Sequence, residues 1–230
     1  MDPLLPLIII GMLLFFCALL FLAFGLPALK KRRRTRELSE WAARSGWEYA
    51  EKRSDLLGAL FPPLPPHLLA YHEARHVLSG THRGRPVLAF EHVEPNHRTG
   101  PGGSPAIVNR VIAVPTPGST PLLDIRDQRI GHKLLDIIGL HDFVVGHPGF
   151  DGAFRVATSH EGFARAVLTG PMMERILHTA PRRPLRFCGS HLMTTERAAL
   201  DPAEITAIAD QLIDLLEHVD PRVWRGGAPA

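Results

Sequence analysis

Apolar positions crowd together at the start of this chain and spread into short periodic runs after it. Residues Leu4 to Leu29 form an uncharged, overwhelmingly apolar stretch, and Lys30-Lys31-Arg32-Arg33-Arg34-Thr35-Arg36 follows without a gap. About 20 apolar residues cross a hydrocarbon core as a helix, and the Lys/Arg-rich flank stays cytoplasmic. The pattern predicts a transmembrane anchor over 1–29 and a polybasic juxtamembrane flank over 30–36. It places the N-terminus outside the plasma membrane and the rest in the cytoplasm as a single-pass protein. A cleavable signal peptide would need a basic start, a shorter apolar core and a small-residue cleavage site, and this stretch fits none of these.

Beyond the flank the periodicity changes repeatedly. Thr35 to Ser45 reads as a juxtamembrane helix with Leu38, Trp41 and Ala42 on one face and Gly46 at its end. Trp47-Glu48-Tyr49 is a brief strand, and Phe61 to Pro66 is a proline-rich connector. Val77 to Gly80 and Pro86 to Val93 read as paired strands across Arg83-Gly84, where Gly tolerates the positive φ of a tight hairpin. Glu94 to Pro105 reads as a flexible tip, and Ala106 to Val114 as a strand. Pro115 to Pro121 is expected to turn the chain before a short extended piece from Leu122 to Arg126.

Asp127 to Ile138 is a candidate helix closed by Gly139. Two strands follow, 143–145 and 154–157, then helices from His160 to Leu168 and from Pro171. Leu185 to Cys188 and His191 to Met193 suggest a hairpin across Gly189-Ser190. Asp201-Pro202-Ala203-Glu204 is a strong helix start, with Asp as N-cap, Pro at N1 and Glu at N3. Ile205, Ile208, Leu212, Leu215, Leu216 and Val219 then form an apolar stripe of a helix from Pro202 to about His218. Strands without βαβ alternation predict an α+β fold, a mainly antiparallel sheet packed with helices over 37–225, ahead of a disordered tail at 226–230.

Charge changes the picture only locally. The chain has 26 Lys+Arg and 23 Asp+Glu, but residues 1–36 hold six of those basic residues and one acid, leaving the domain 20 against 22. A nucleic-acid partner would call for a basic face on the domain itself, so none is expected. The flank residues Lys30, Lys31, Arg32, Arg33, Arg34 and Arg36 are the expected membrane-surface contacts, facing the bilayer and anionic lipid headgroups. The two cysteines, Cys17 in the span and Cys188 in the domain, offer no disulfide framework.

One motif carries potential chemistry. His72-Glu73-Ala74-Arg75-His76 matches H-E-x-x-H, with His82 six residues on. On a helix, His72 and His76 would share a face and hold zinc, with His82 as a third ligand and Glu73 as general base. The Arg83-Gly84 hairpin instead wants 77–82 extended, Arg75 is charged where such a helix packs inward, and Ser79 stands at the pattern's Gly position. The expectation is therefore no cofactor, with zinc only under the hydrolase alternative. No P-loop or G-x-G-x-x-G is present.

Three segments carry a family resemblance: Trp41-Ala42-Ala43-Arg44-Ser45-Gly46-Trp47, the strand-turn-strand from Val77 to Glu91, and Phe150-Asp151-Gly152-Ala153-Phe154-Arg155-Val156 with Pro171-Met172-Met173 and Val223-Trp224. In these the chain resembles actinobacterial membrane-anchored proteins of unknown function, which implies an N-terminal span, a basic flank and an α+β domain. The departure is Phe150-Asp151, where that family has Phe-Asn. The resemblance supplies no activity or binding residue. The resulting expectation is a membrane-tethered cytoplasmic module that binds or scaffolds an unknown protein partner and is not an enzyme, the alternative being a zinc-dependent hydrolase.

Overall fold

The computed structural model of the chain describes residues 11–16, 19, 21, 26–61, 72–94, 106–128 and 140–225. Most of the expected anchor, the proline-rich connector beyond Phe61, the tip at 95–105, the candidate helix beyond Gln128 and the tail at 226–230 lie outside those residues. Among the described residues no helix is long and apolar enough to cross a membrane.

The first long helix, α1 (Leu26–Ser45), begins ahead of the basic run and passes through it unbroken. Leu38 and Ala42, one turn apart, are fully buried, while Arg33–Glu37 and Arg36–Glu40 ion pairs line the outer face at the same spacing. Gly46 at φ +69° ends the helix, and the Trp47 N–H closes it with a 2.8 Å bond to the Ala42 carbonyl. Trp47 then lies flat on β2, where a Cβ added to Gly80 would stand 2.3 Å from its ring.

Seven antiparallel strands follow among the described residues: β1 (Glu48–Lys52), β2 (Glu73–His82), β3 (Arg85–Glu94), β4 (Ile107–Asp127), β5 (His141–Phe143), β6 (Phe154–Thr158) and β7 (Leu185–Glu196). The expected hairpin is present, with Arg83 and Gly84 both at positive φ, as a two-residue turn between twisted strands requires. Strand β4 is the spine. β7 pairs with it from Arg110 to Ile125, while its other edge takes β3 at Leu88↔Ala113 and β6 at Leu123↔Thr158.

Two expected turns are corrected here. The prolines at 115, 117 and 121 do not turn the chain, and Gly189-Ser190 does not make a hairpin. Each strand runs on, and the irregularities face one another: the β4–β7 register shifts between Pro115 and Leu123, and Gly189, at φ +59°, pairs with Thr120 inside that stretch. A bulge absorbs the missing proline N–H groups and the left-handed glycine together.

Both faces of the sheet are covered. The larger core lies under α1, α4 (Glu161–Val167), α5 (Gly170–His178) and α6 (Pro202–His218). All six stripe residues of α6 are buried in it. Asp201 caps α6 by accepting the Ala203 N–H, but Glu204 reaches Arg110 on β4 rather than turning back to the cap. The short helices α2 (Asp55–Leu60) and α3 (Pro148–Ala153) fill gaps, α2 with Leu57, Leu60 and Phe61 over the second face. A final turn, α7 (Arg222–Arg225), brings Trp224 against the larger core.

Candidate functional site

Successive side chains of a strand point to opposite faces. On β3 this puts Glu91 on the α1 side and His92 and Glu94 on the α2 side. Each face carries its own polar constellation.

On the α1 side, the strands and the start of α1 enclose a groove of about 520 Å³. Its charged lining comes from Lys31 of α1, Glu51 and Lys52 of β1, Glu73 and Arg75 of β2, and Glu91 of β3, and its apolar lining from Val93, Ala106 and Val108. The charges are matched: Lys31 to Glu51 at 3.2 Å, Lys52 to Glu73 at 2.6 Å, and Arg75 to the other Glu73 oxygen. Arg34 reaches over to Glu91 at 3.3 Å and also donates to the Leu200 carbonyl. Hydrogen bonds from Lys52 and Arg75 hold the Glu73 carboxyl below its usual range, which disfavours it as a general base at neutral pH.

His76 also lines this groove, by an unusual route. It stands at φ +50° in the β-bulge between Arg75 and Leu78. For a non-glycine residue that conformation is costly, and here it aims the imidazole at the Tyr49 hydroxyl, 2.8 Å from Nδ1. Burial lowers the His76 pKa against the pull of Glu91, and burial raises that of Tyr49.

The structure does not assemble the H-E-x-x-H residues into one centre. His72 to His82 is not a helix: His72 precedes β2 and the rest lies within it. His72 meets His92, His76 meets Tyr49, and His82 Nε2 lies 2.9 Å from Asp210 of α6. Of the expected membrane-surface residues, Lys30, Lys31, Arg32, Arg33 and Arg36 are exposed, whereas Arg34 turns inward to Glu91.

On the α2 side, His72 Nδ1 lies 2.9 Å from His92 Nε2, with the rings stacked at 5.0 Å between centroids. Phe61 covers the other side of His92 at 4.8 Å. His92 Nδ1 is 3.4 Å from Glu94 but out of hydrogen-bond alignment, and Asn109 of β4 donates to Glu94 at 2.8 Å. Burial, helped by His72 and Arg186, pushes the His92 pKa down to about 4, so the ring is neutral near pH 7. Burial raises the Glu94 carboxyl against the Asn109 hydrogen bond.

Sequence reasoning missed His92 and Glu94. Their signal is the two-residue spacing within an apolar strand, which puts them on one face. Nothing in the linear pattern sets His72 opposite them.

No protein-family model matches the chain, and no curated protein matches it. Its fold is similar to the crystal structure of the mycobacterial trehalose monomycolate transport factor A, TtfA, with a TM-score of 0.53 and 18% identity over 80% of this chain and 90% of that one. At this identity the likeness is one of fold: an α+β domain with an antiparallel sheet and a C-terminal helix, shared with an actinobacterial protein.

Proposed function

We propose that this chain is a membrane-tethered, non-enzymatic binding module of the cytoplasmic membrane face, and that the groove beside α1 is its binding surface. The observation that carries this reading is the continuity of α1. One helix begins in the apolar N-terminal region, passes through the basic run and seats Leu38 and Ala42 in the core. Met12, Leu13, Leu14, Phe15 and Phe16 are all exposed, as are Leu26 and Leu29, which is costly in water and natural in lipid. The exposed cations from Lys30 to Arg36 then lie at headgroup level, where a basic residue is worth about 1 kcal/mol near an anionic surface, and less for Lys31, Arg33 and Arg36, which pair with Glu51, Glu37 and Glu40.

The groove fits a neutral, polyhydroxylated ligand. Its charges are paired, so it offers donors and acceptors side by side with little net field, and hydroxyl groups can use both. Val93, Ala106 and Val108 supply an apolar strip beside them. A sugar headgroup joined to an acyl chain has this character, and the fold likeness to a trehalose monomycolate transport factor supports a role in handling such a glycolipid.

Protease added to intact spheroplasts tests the tether: the domain should survive until lysis, and digestion from outside would overturn the orientation. A photocrosslinking side chain at Arg75 of the full chain in its own membranes tests the groove. Labelling of a glycolipid or a membrane partner from position 75, and not from position 165 on α4, is the expected result. Equal labelling from both positions, or none from position 75, would overturn the groove as the binding surface.

A further inference from the structure

A second site lies on the opposite face of β3 from the groove. In the β2–β3 ladder Glu73 pairs with Val93 and Ala74 with His92, which sets His72 across from Glu94, with His92 diagonal to His72 and two residues before Glu94 on the same strand. One nitrogen from each imidazole and one Glu94 oxygen lie within 4.8 Å of one another. Two imidazoles and a carboxylate are a donor set that zinc takes with a fourth position open. At metal–nitrogen distances of about 2.0–2.1 Å, two ligands on a tetrahedron stand about 3.3 Å apart. The observed 3.4 Å between His92 Nδ1 and a Glu94 oxygen matches that separation.

Burial adds an independent pointer. His92 is 3% exposed, yet its Nδ1 has no aligned hydrogen-bond partner. Buried polar atoms are rarely left so, and the exceptions call for an explanation. The surroundings also resemble the outer shell of a metal site: Asn109 fixes the Glu94 carboxylate and Phe61 fixes the His92 ring. Such supports orient ligands before an ion arrives.

We propose that His72, His92 and Glu94 form a zinc(II) site that clamps the start of β2 to the end of β3 beneath α2. This site shares only His72 with the H-E-x-x-H reading, so the two can be told apart. The borderline-soft imidazole and hard carboxylate set favours zinc over magnesium or calcium, which prefer oxygen ligands alone.

The test uses the full chain in detergent, stripped with EDTA, dialysed and titrated with zinc sulfate by calorimetry. One zinc per chain is expected, and cobalt(II) in its place should give the strong visible absorption of a four-coordinate ion. His92→Gln and the near-isosteric Glu94→Gln should each weaken zinc binding at least tenfold, while His76→Ala leaves it unchanged. If His92→Gln unfolds, Glu94→Gln decides. Absence of binding at 100-fold excess zinc, or binding insensitive to Glu94→Gln, overturns the site. Loss on His76→Ala with retention in Glu94→Gln would return the ion to the H-E-x-x-H residues.

Discussion

Arg34 and Glu91, 57 positions apart in the chain, meet with Nη2 3.3 Å from Oε1, and that same oxygen accepts the Leu200 N–H at 2.9 Å. A side chain from the basic run is thereby tied to the middle of the sheet and to the segment that leads into α6. Glu91→Ala leaves the buried Leu200 N–H without its acceptor and Arg34 without its carboxylate, with only the Leu200 carbonyl to donate to. The expected cost is about 2–3 kcal/mol, below that of a fully buried pair because Arg34 keeps about a third of its exposure. Urea unfolding of the full chain in detergent measures it, and Glu91→Gln should recover part of the loss by still accepting the Leu200 N–H.

Gly80→Ala should be among the most damaging small changes in the protein. The new Cβ would fall 2.3–2.6 Å from three atoms of the Trp47 ring, so the indole has to move. Overpacking of this kind costs about 1–3 kcal/mol. Trp41 and Trp47 meet edge to face at 5.4 Å, so near-ultraviolet circular dichroism should report the displacement directly. An unchanged spectrum would mean that α1 does not dock as described.

Leu212→Ala should destabilise by about 2–5 kcal/mol, the range for emptying a fully buried leucine site. Leu212 is 1% exposed within the larger core, so Leu212→Asp should abolish cooperative unfolding. A folded Leu212→Asp protein that changes only its oligomeric state would make α6 an interface instead.

Acid should weaken the protein through His92. Its pKa falls from 6.5 in the unfolded chain to about 4 in the fold, so between those values the unfolded state binds more protons. Stability is then fully expressed above pH 6.5 and declines as pH falls toward 4, by about 3 kcal/mol in all. His76 and His191, also lowered by burial, add in the same direction. The raised Glu94 carboxyl opposes it at the acid end, since its proton is held more tightly in the fold. Urea midpoints between pH 7 and 4.5, taken in EDTA, should fall less steeply for His92→Gln than for the natural chain.

Legibility followed the range of the interaction. The Arg83-Gly84 hairpin, the Asp201 cap and the α6 stripe depend on neighbours a few residues away, and all three stand where the sequence puts them. The spine strands do not. Pro115, Pro117, Pro121 and Gly189 carry true local signals for irregular backbone, but whether an irregularity turns a strand or bulges it depends on the partner's irregularity across the ladder. Arg34 shows the same limit: its place in a basic run suggests solvent or lipid, and only the fold reveals Glu91 within reach. The histidines at 72, 76 and 82 share a motif in sequence, yet extended backbone and one bulge send them to three separate neighbours.

The seating of α1 bears on orientation as well as position. Twenty residues of helix make a rod about 30 Å long, stiff on that scale. A flexible linker would let the domain tumble beneath the bilayer and meet a partner from any angle. A rod held to the sheet by Arg34 near its middle and by Leu38 and Ala42 further on fixes the basic run in one place relative to the domain. Under the proposed tether the basic run, being part of that rod, presents one edge of the domain, with the groove beside it, to the headgroups. A partner held in the same bilayer then needs only to diffuse in two dimensions and arrive with a matching face.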